Sequence, residues 1–273
     1  MNMTKKIELT CIIRTKNEAE RIGAVIKKVK EIGAEVIIID DCSNDQTRTI
    51  ALNEGAVVIE QPWLGRGLQK KVGENASSNE WIIDLDADEL LSTSLQKEIY
   101  DLFKNGPPDP GIYSLKYITI PPVPKGCIWK NSCIDRRCKM YHKKIVTMQE
   151  HSAWDQIILP KNIKPKKLNN PIYHYGFLSI HHQMDKMNKA SSHRAEGASL
   201  KSKNYLILRI LFGFPIYFSK KYFKQKMFLL GIYGFSCAIV ISSNRWLKDV
   251  KMFEKHLVNE GTNSIHDHID PFE

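Results

Sequence analysis

The sequence predicts an α/β fold, with a mixed and mostly parallel sheet flanked by helices and a helical, basic part at the C-terminal end. Three observations indicate it. Short apolar runs alternate with segments of helical period over the first 110 residues, the pattern of strands joined by crossover helices. Acidic residues directly follow two of these runs. Two long apolar stretches beyond residue 200 flank a lysine-rich segment.

The first module is expected to hold four strands and four helices. In chain order we predict strand 9–13, helix 22–32, strand 36–39, helix 47–53, strand 56–59, helix 68–77, strand 81–85 and helix 95–103. Strands that alternate with helices pair in parallel, and the helices cover both faces of the sheet. The glycine- and proline-rich run 105–111 ends this pattern, so we place the module boundary at residue 110.

The second module, residues 111–200, is less regular. We expect strands at 113–118 and 139–142, with a proline-rich loop at 121–124 between them. The expected architecture therefore has the regular crossover units first and an irregular half second.

The third part, residues 201–273, holds two apolar stretches, 205–218 and 227–243, separated by a segment with four lysines. The second stretch contains Gly231 and Gly234 and is shorter than the roughly 20 residues of a membrane-spanning helix. We favour a pair of amphipathic helices at a membrane surface, anchored by the lysines. A spanning helix and a buried core helix remain alternatives.

The net charge of +10 is unevenly distributed along the chain. Residues 113–226 hold 22 Lys and Arg against 5 Asp and Glu, so this window carries +17 and the rest of the chain −7. Such a basic region is expected to meet an anion, and charge alone does not distinguish nucleic acid, anionic lipid headgroups and a phosphorylated glycan. Residues 1–8 are polar and Arg14 interrupts the first apolar run, so we expect no signal peptide and a cytoplasmic location.

The strongest chemical signal is Asp84-Leu85-Asp86-Ala87-Asp88-Glu89 at the end of the fourth predicted strand. Crowded carboxylates repel one another unless a cation compensates them. Asp86 and Asp88 alternate along an extended chain, so both could face one hard divalent ion. A solvated acidic turn, or Asp88 as a helix cap, is the alternative.

A second acidic pair, Asp40-Asp41, directly follows the second predicted strand. Ligands of open α/β sheets bind at the carboxyl ends of the strands, so two acidic strand ends indicate a common crevice. A carboxylate there can accept hydrogen bonds from a base or a ribose. A plain turn with side-chain capping is the alternative.

Four motifs in this order resemble family 2 glycosyltransferases, and among them the lipopolysaccharide core enzymes of the WaaE (KdtX) type. The motifs are Thr15-Lys16-Asn17-Glu18, Asp40-Asp41-Cys42-Ser43-Asn44-Asp45-Gln46-Thr47, Trp63-Leu64-Gly65-Arg66-Gly67-Leu68-Gln69-Lys70-Lys71 and Leu85-Asp86-Ala87-Asp88-Glu89. The resemblance covers residues 7–105 closely and the remainder loosely. It implies a GT-A fold, with a nucleotide-sugar-binding half over 1–110 and an acceptor-binding half over 111–200.

The same resemblance implies an inverting transfer that depends on a divalent cation, Mn²⁺ or Mg²⁺, with a UDP-sugar as the expected donor. It implies roles for individual positions: Thr15, Glu18 and Asp41 hold the nucleoside, Lys70 lies near it, Asp86 and Asp88 bracket the metal on the diphosphate, and His174 is a further metal ligand. A cation between carboxylates and phosphates would stabilise the charge that develops on the leaving nucleotide.

An inverting transfer also needs a base for the acceptor hydroxyl. The related enzymes carry a His-Glu pair in this region, whereas this chain reads Glu150-His151-Ser152-Ala153-Trp154-Asp155. We prefer Asp155, because Trp154 could offer a sugar platform beside it, and place Glu150 second. Both residues could instead be surface acids.

Two competing interpretations are weaker. A Rossmann dehydrogenase requires a glycine-rich turn after the first strand, and residues 14–18 contain no glycine. A non-catalytic basic module that binds anionic lipid or RNA explains the charge of the basic window but gives the acidic strand ends no purpose. We therefore expect a glycosyltransferase on the inner face of the cytoplasmic membrane, peripheral to it, with a lipid-linked, lipopolysaccharide or polysaccharide acceptor and no nucleic-acid partner.

Overall fold

The computed structural model describes residues 5–120, 134–152 and 154–259. The chain divides into two compact units, the first ending at Gly176 and the second beginning at Phe177. The sequence-based prediction instead begins the helical part at residue 201. The difference arises because residues 180–196 form a helix that packs with the C-terminal helix of the second unit.

The first unit holds eight described strands and four helices. They are β1 Leu9–Thr15, α1 Ile22–Lys30, β2 Glu35–Asp40, α2 Thr47–Asn53, β3 Val57–Glu60, α3 Arg66–Ala76, β4 Trp81–Asp86, β5 Glu89–Leu91, α4 Thr93–Phe103, β6 Ile112–Thr119, β7 Ile134–His142 and β8 Lys166–His174. The elements expected over residues 9–103 are all present. The strands expected at 113–118 and 139–142 correspond to β6 and the end of β7, and the predicted loop 121–124 lies outside the described residues.

These strands form one mixed sheet in the order β3-β2-β1-β4-β7-β6-β8-β5. The four strands β3, β2, β1 and β4 run parallel, as the alternation with helices predicts. β7 then pairs antiparallel with both β4 and β6, and β5 pairs antiparallel with β8. This sheet confirms the mixed, mostly parallel architecture.

The central strands are buried on both faces because helices cover each side. Successive residues of a strand point to opposite faces, and β1 divides its side chains accordingly. Cys11 and Ile13 pack with the apolar faces of α1 and α4, whereas Ile12 packs with Ile37 and Tyr141 on the other face. These two clusters fix the register of β1, which cannot slip by one residue without exposing them.

The register brings three carboxyl-terminal strand ends to one edge of the sheet. Arg14 lies beside Asp86 in the β1–β4 pair, and Thr15 lies beside Asp40 in the β1–β2 pair. The polar residues that follow these strands are consequently neighbours in space.

The second unit contains α5 Ile180–Glu196, α6 Lys203–Ser219 and α7 Gly231–Asn259. A π-helical turn, Lys220–Lys224, and a 3₁₀ turn, Met227–Leu230, connect α6 to α7. Residues Met227–Val258 have a mean hydropathy of 1.6 over their most apolar window, which is long and apolar enough to cross a membrane. One third of that window is buried inside the protein, so length and composition alone do not decide between a spanning and a packed helix.

Candidate active site

Two loops, after β1 and after β2, interlock at the sheet edge. The Asn17 amide donates to Ser43 Oγ at 2.8 Å, and the Asn44 amide donates back to Asn17 Oδ1 at 3.0 Å. Asn17 and Cys42 adopt positive φ angles of 53° and 47°, so both loops turn sharply. The Glu18 amide donates to Thr47 Oγ1 at 2.8 Å and ties the first loop to α2.

The three residues predicted to hold the nucleoside lie in these loops. Thr15 is buried, and its hydroxyl finds no hydrogen-bond partner within the described part of the chain. Asp41 donates its amide to Thr15 O at 2.9 Å and accepts from Lys16 Nζ at 2.9 Å. Glu18 pairs with Arg21 at 2.5 Å. A buried hydroxyl without a described partner is suited to a polar ligand.

A network of buried charges occupies the end of β4. Lys70 Nζ lies 2.7 Å from Asp84 and 3.1 Å from Asp86, and Lys139 Nζ lies 3.2 Å from Glu89 and 3.5 Å from Asp86. Arg14 Nε adds a third cation to Asp86 at 3.1 Å. The helix α3, the strand β7 and the strand β1 each supply one of these cations.

These cations set the ionisation of the carboxylates. Burial alone would raise the pKa of Asp86, but Lys139, Lys70 and Arg14 outweigh it and hold that pKa well below its ordinary value. Burial raises the pKa of Glu89, and the negative charge of Asp86 raises it further. Lys139 lowers it, but only partly offsets this rise. The site thus holds an ionised Asp86 next to a carboxyl that binds its proton more readily.

A second group of three residues forms a possible cation site. Asp88, Glu89 and His174 each offer a ligand atom, and these atoms lie within 4.8 Å of one another. The antiparallel pairing of β5 with β8 sets Glu89 opposite His174, and the Tyr175 amide donates to Asp88 O at 2.8 Å. Two carboxylate oxygens and an imidazole nitrogen are a donor set that Mn²⁺ accepts.

The structure therefore brings two of the three predicted metal ligands together and pairs the third with cations. Asp88 Oδ2 lies 3.5 Å from His174 Nε2. Asp86 instead meets Arg14, Lys70 and Lys139, and Glu89 stands in the three-residue group. The proximity of Asp88 and His174 arises from the pairing of two strands that are about 80 residues apart in the chain.

The loop that follows β7 carries the predicted acceptor base. Asp155 Oδ2 lies 2.9 Å from Arg14 Nη2 and 3.8 Å from Lys70 Nζ. Burial would raise the pKa of Asp155, but Lys70 and Arg14 lower it further than burial raises it. Glu150 is exposed in the same loop, and the Trp154 side chain is 63% exposed.

Three site residues carry no assigned role in the sequence-based prediction. Arg14 and Lys139 supply cations, and Glu89 completes the group with Asp88 and His174. The position of Glu89 in the acidic run 84–89 could have indicated its place in the site. The signal for Lys139 was weaker, because its position beside β4 depends on an antiparallel pairing that no local pattern indicates.

Comparison with known proteins identifies the family. The model of glycosyl transferase family 2 matches residues 10–154. A glycosyltransferase of Rickettsia conorii is 31% identical over 268 residues, covering 94% of this chain and 94% of that protein. The lipopolysaccharide core biosynthesis glycosyltransferase LpsC of Rhizobium meliloti is 24% identical over 268 residues, covering 96% and 97%.

Among solved structures, S. aureus TarS superposes with a TM-score of 0.44 at 16% identity, over 90% of this chain and 54% of that one. The matched region of the family model contains the interlocked loops, the acidic end of β4 and the cations that bracket it. The chain belongs to glycosyl transferase family 2 and is a glycosyltransferase with the GT-A fold.

Proposed function

We propose that this enzyme transfers a sugar from a UDP-sugar, with inversion and with a divalent cation, to a lipid-linked, lipopolysaccharide or polysaccharide acceptor. The observation that carries the proposal is the register that brings the ends of β1, β2 and β4 to one edge of the sheet, with Asp88 and Glu89, which form a group with His174, directly after β4. Open α/β sheets bind their ligands at this edge.

The residues present fit a divalent cation. Asp88 and His174 are proposed ligands, and Glu89 offers a carboxylate within reach of both. Asp86, the third proposed ligand, would exchange an ion pair with Arg14, Lys70 or Lys139 for the metal. Mn²⁺ or Mg²⁺ bound there would neutralise the charge that develops on the leaving diphosphate.

The remaining steps fall to the side chains of the chain itself. In the proposal, Thr15, Glu18 and Asp41 hold the nucleoside, and Lys70 lies near it as a fixed positive charge. Asp155 takes the proton of the acceptor hydroxyl, with Glu150 as the second candidate. The position of Asp155 supports the first choice, since it contacts Arg14 and Lys70, whereas Glu150 is exposed.

The acceptor and the location are proposed from the basic half and the second unit. The relative LpsC is named for lipopolysaccharide core biosynthesis. Nine Lys and Arg and no Asp or Glu occur over residues 197–248. Anionic headgroups attract such a segment, so we place the enzyme on the inner face of the cytoplasmic membrane, peripheral to it.

Exposed apolar side chains of the second unit support a lipid contact. Along α6 they include Leu208, Leu211 and Phe212, each more than half exposed, and at the start of α7 Ile232 is 80% exposed. A soluble surface rarely carries so many large apolar residues together.

Nucleotide release tests the proposal. The purified protein is incubated with UDP-, GDP- and dTDP-sugars, with and without Mn²⁺, and an envelope lipid extract serves as acceptor. Release of UDP alone, dependent on both Mn²⁺ and the extract, is the expected result. No release with any donor, together with binding to RNA or to anionic vesicles, would instead favour the non-catalytic basic module.

A further inference from the structure

The loop that carries Glu150 and Asp155 is bound to the start of α3 through the main chain. The Arg66 amide donates to Ser152 O at 2.7 Å, and the Gly67 amide donates to His151 O at 2.9 Å. The first amides of a helix have no partner within the helix. Here loop carbonyls supply the partners, so α3 and the loop are joined by two main-chain hydrogen bonds.

Two glycines make this approach possible. A Cβ atom at Gly67 would lie 2.3 Å from Gln149 O and 2.5 Å from Trp154 O. A Cβ atom at Gly65 would lie 2.5 Å from Ser152 Cα, and the φ angle of Gly65 is +116°, which side-chain-bearing residues rarely adopt. The obstructing atoms belong to the main chain, so rotation of a side chain cannot relieve the overlap.

The docked loop places Asp155 against the cations at the end of β4. Arg14 and Lys70, which contact Asp155, are the same cations that contact Asp86 at 3.1 Å. The carboxylate of the loop and the carboxylate of β4 therefore share two cations. Any displacement of the loop breaks this link and moves Trp154 with it.

We propose that Gly65 and Gly67 are positioning residues, which fix the loop so that Asp155 is held at the acceptor side of the reacting sugar. The inference rests on the proposed role of Asp155. The contacts described for Thr15, Asp41, Asp88 and His174 are made with other segments. Lys70 contacts Asp155 at the longer distance of 3.8 Å and keeps its closer contacts with Asp84 and Asp86 when the loop moves, so a side chain at residue 67 should disturb the acceptor side far more than the binding of nucleotide and metal.

The test compares Gly67→Ala with Gly73→Ala in the same helix. A Cβ atom at Gly73 would meet only side-chain atoms of Ile39 and Ile12, so this control perturbs core packing away from the loop. Three quantities are measured: UDP affinity with Mn²⁺ by calorimetry, kcat as UDP release with the lipid extract, and hydrogen exchange of residues 64–68 and 149–152.

For Gly67→Ala we expect UDP affinity within twofold of wild type, kcat reduced by about 100-fold, and faster exchange in both segments. For Gly73→Ala we expect a lower melting temperature with kcat within threefold and exchange of the loop unchanged. Asp155→Asn should reproduce the loss of kcat while hydrogen exchange of the loop stays as slow as in the wild type. This variant therefore distinguishes loss of the carboxylate from displacement of the loop. Should Gly67→Ala fail to fold, Gly65→Ala tests the same contact.

Two results would overturn the inference. In the first, Gly67→Ala has the same kcat and the same hydrogen exchange of the loop as Gly73→Ala. In the second, Gly67→Ala loses UDP affinity to the same extent as kcat. Failure of the proposed function has a different signature. In that case the wild type itself neither binds UDP with Mn²⁺ nor releases it, while hydrogen exchange still reports whether the glycines hold the loop.

Discussion

Lys139 lies among three carboxylates in the interior of the protein. Its Nζ atom is within 3.6 Å of Asp84, Asp86 and Glu89, and the side chain is only 7% exposed. Burial lowers the pKa of Lys139, yet the three carboxylates outweigh burial and raise it well above its ordinary value. The carboxylates therefore favour the charged ammonium, and it compensates acids that would otherwise repel one another.

Removal of this cation should destabilise the first unit strongly. Lys139→Met removes the cation that lies 3.2 Å from the buried Glu89 and leaves Asp84 and Asp86 with one cation fewer, and loss of a buried partner typically costs about 3–5 kcal/mol. Urea unfolding at pH 7 measures the free energy, and Lys144→Met, on an exposed residue near the end of β7, should change it by less than about 0.5 kcal/mol. Equal stability of the two variants would show that Lys139 is not needed to compensate the acids.

Glu35 gives a pH-dependent prediction away from the site. Burial would raise the pKa of Glu35, but hydrogen bonds from Thr10 and Ser78 lower it below the ordinary value. A carboxyl whose pKa is lower in the folded state stabilises the protein above its unfolded pKa of about 4.3, and this stabilisation is lost as the pH falls through the folded pKa.

Glu35→Gln should thus lower the free energy of unfolding by about 1 kcal/mol at pH 7, a figure reduced for partial exposure to solvent. The difference from wild type should shrink as the pH falls below about 4. Urea unfolding between pH 3 and pH 7 measures it. A difference that stays constant over this range would contradict the assignment of the lowered pKa.

At the scale of elements, α6 and α7 are joined by one buried ion pair. Arg209 Nε and Nη2 lie 2.9 and 2.8 Å from Asp249 Oδ2, and Asp249 is fully buried. Trp246 Nε1 donates to Ile210 O at 3.1 Å beside them. The two helices are thus joined by an ion pair and a hydrogen bond within an otherwise apolar contact.

Asp249→Asn should loosen this helical pair. Loss of a buried partner costs about 3 kcal/mol, reduced here to about 2 because Arg209 is partly exposed. Since a chain of two units need not unfold in one step, hydrogen exchange of α6 and α7 is the suitable measurement. Asp185→Asn, on an exposed acid of α5, is the control. Equal hydrogen-exchange protection of α6 and α7 in the two variants would contradict a stabilising role for the Arg209–Asp249 ion pair.

The elements also show what the sequence can predict. Long apolar runs and helical periodicity indicate every strand and helix over residues 9–103 correctly except β5. β5 has only three residues, β8 contains Asn169, Asn170 and Pro171, and α5 is largely polar, so no local pattern indicates these elements. The first two arise from long-range pairing. The place of Lys139 depends on such a pairing as well, whereas His174 was predicted only through the family resemblance.

For the whole molecule, the excess of positive charge and the exposed apolar side chains of the second unit occur in the same stretch of the sequence. Phe223, Leu229 and Ile232 are each more than half exposed in the segment that connects α6 with α7 and begins α7. Lys220, Lys221, Lys224 and Lys226 occur in the same stretch. Apolar residues between cations are typical of a segment that enters the headgroup region of an anionic monolayer.

The double variant Leu229→Asp, Ile232→Asp should lose most of its binding to vesicles that contain phosphatidylglycerol, as measured by co-sedimentation. Burial of these two side chains contributes about 3 kcal/mol or more, so the loss should exceed tenfold. Leu52→Asp, on an exposed leucine at the end of α2, is the control and should bind as wild type does. Unchanged sedimentation of the double variant would rule out this segment as the lipid contact.

The central claim is that the acidic end of the sheet binds UDP through a divalent cation. Calorimetric titration of UDP, with and without Mn²⁺, tests it most directly in the wild type, in Asp88→Asn and in Asp101→Asn, an exposed acid of α4 paired with Lys97 and Lys104. We predict binding that needs Mn²⁺, is weakened at least tenfold by Asp88→Asn and is unaffected by Asp101→Asn. UDP binding of equal strength without Mn²⁺, or in Asp88→Asn, would contradict the claim.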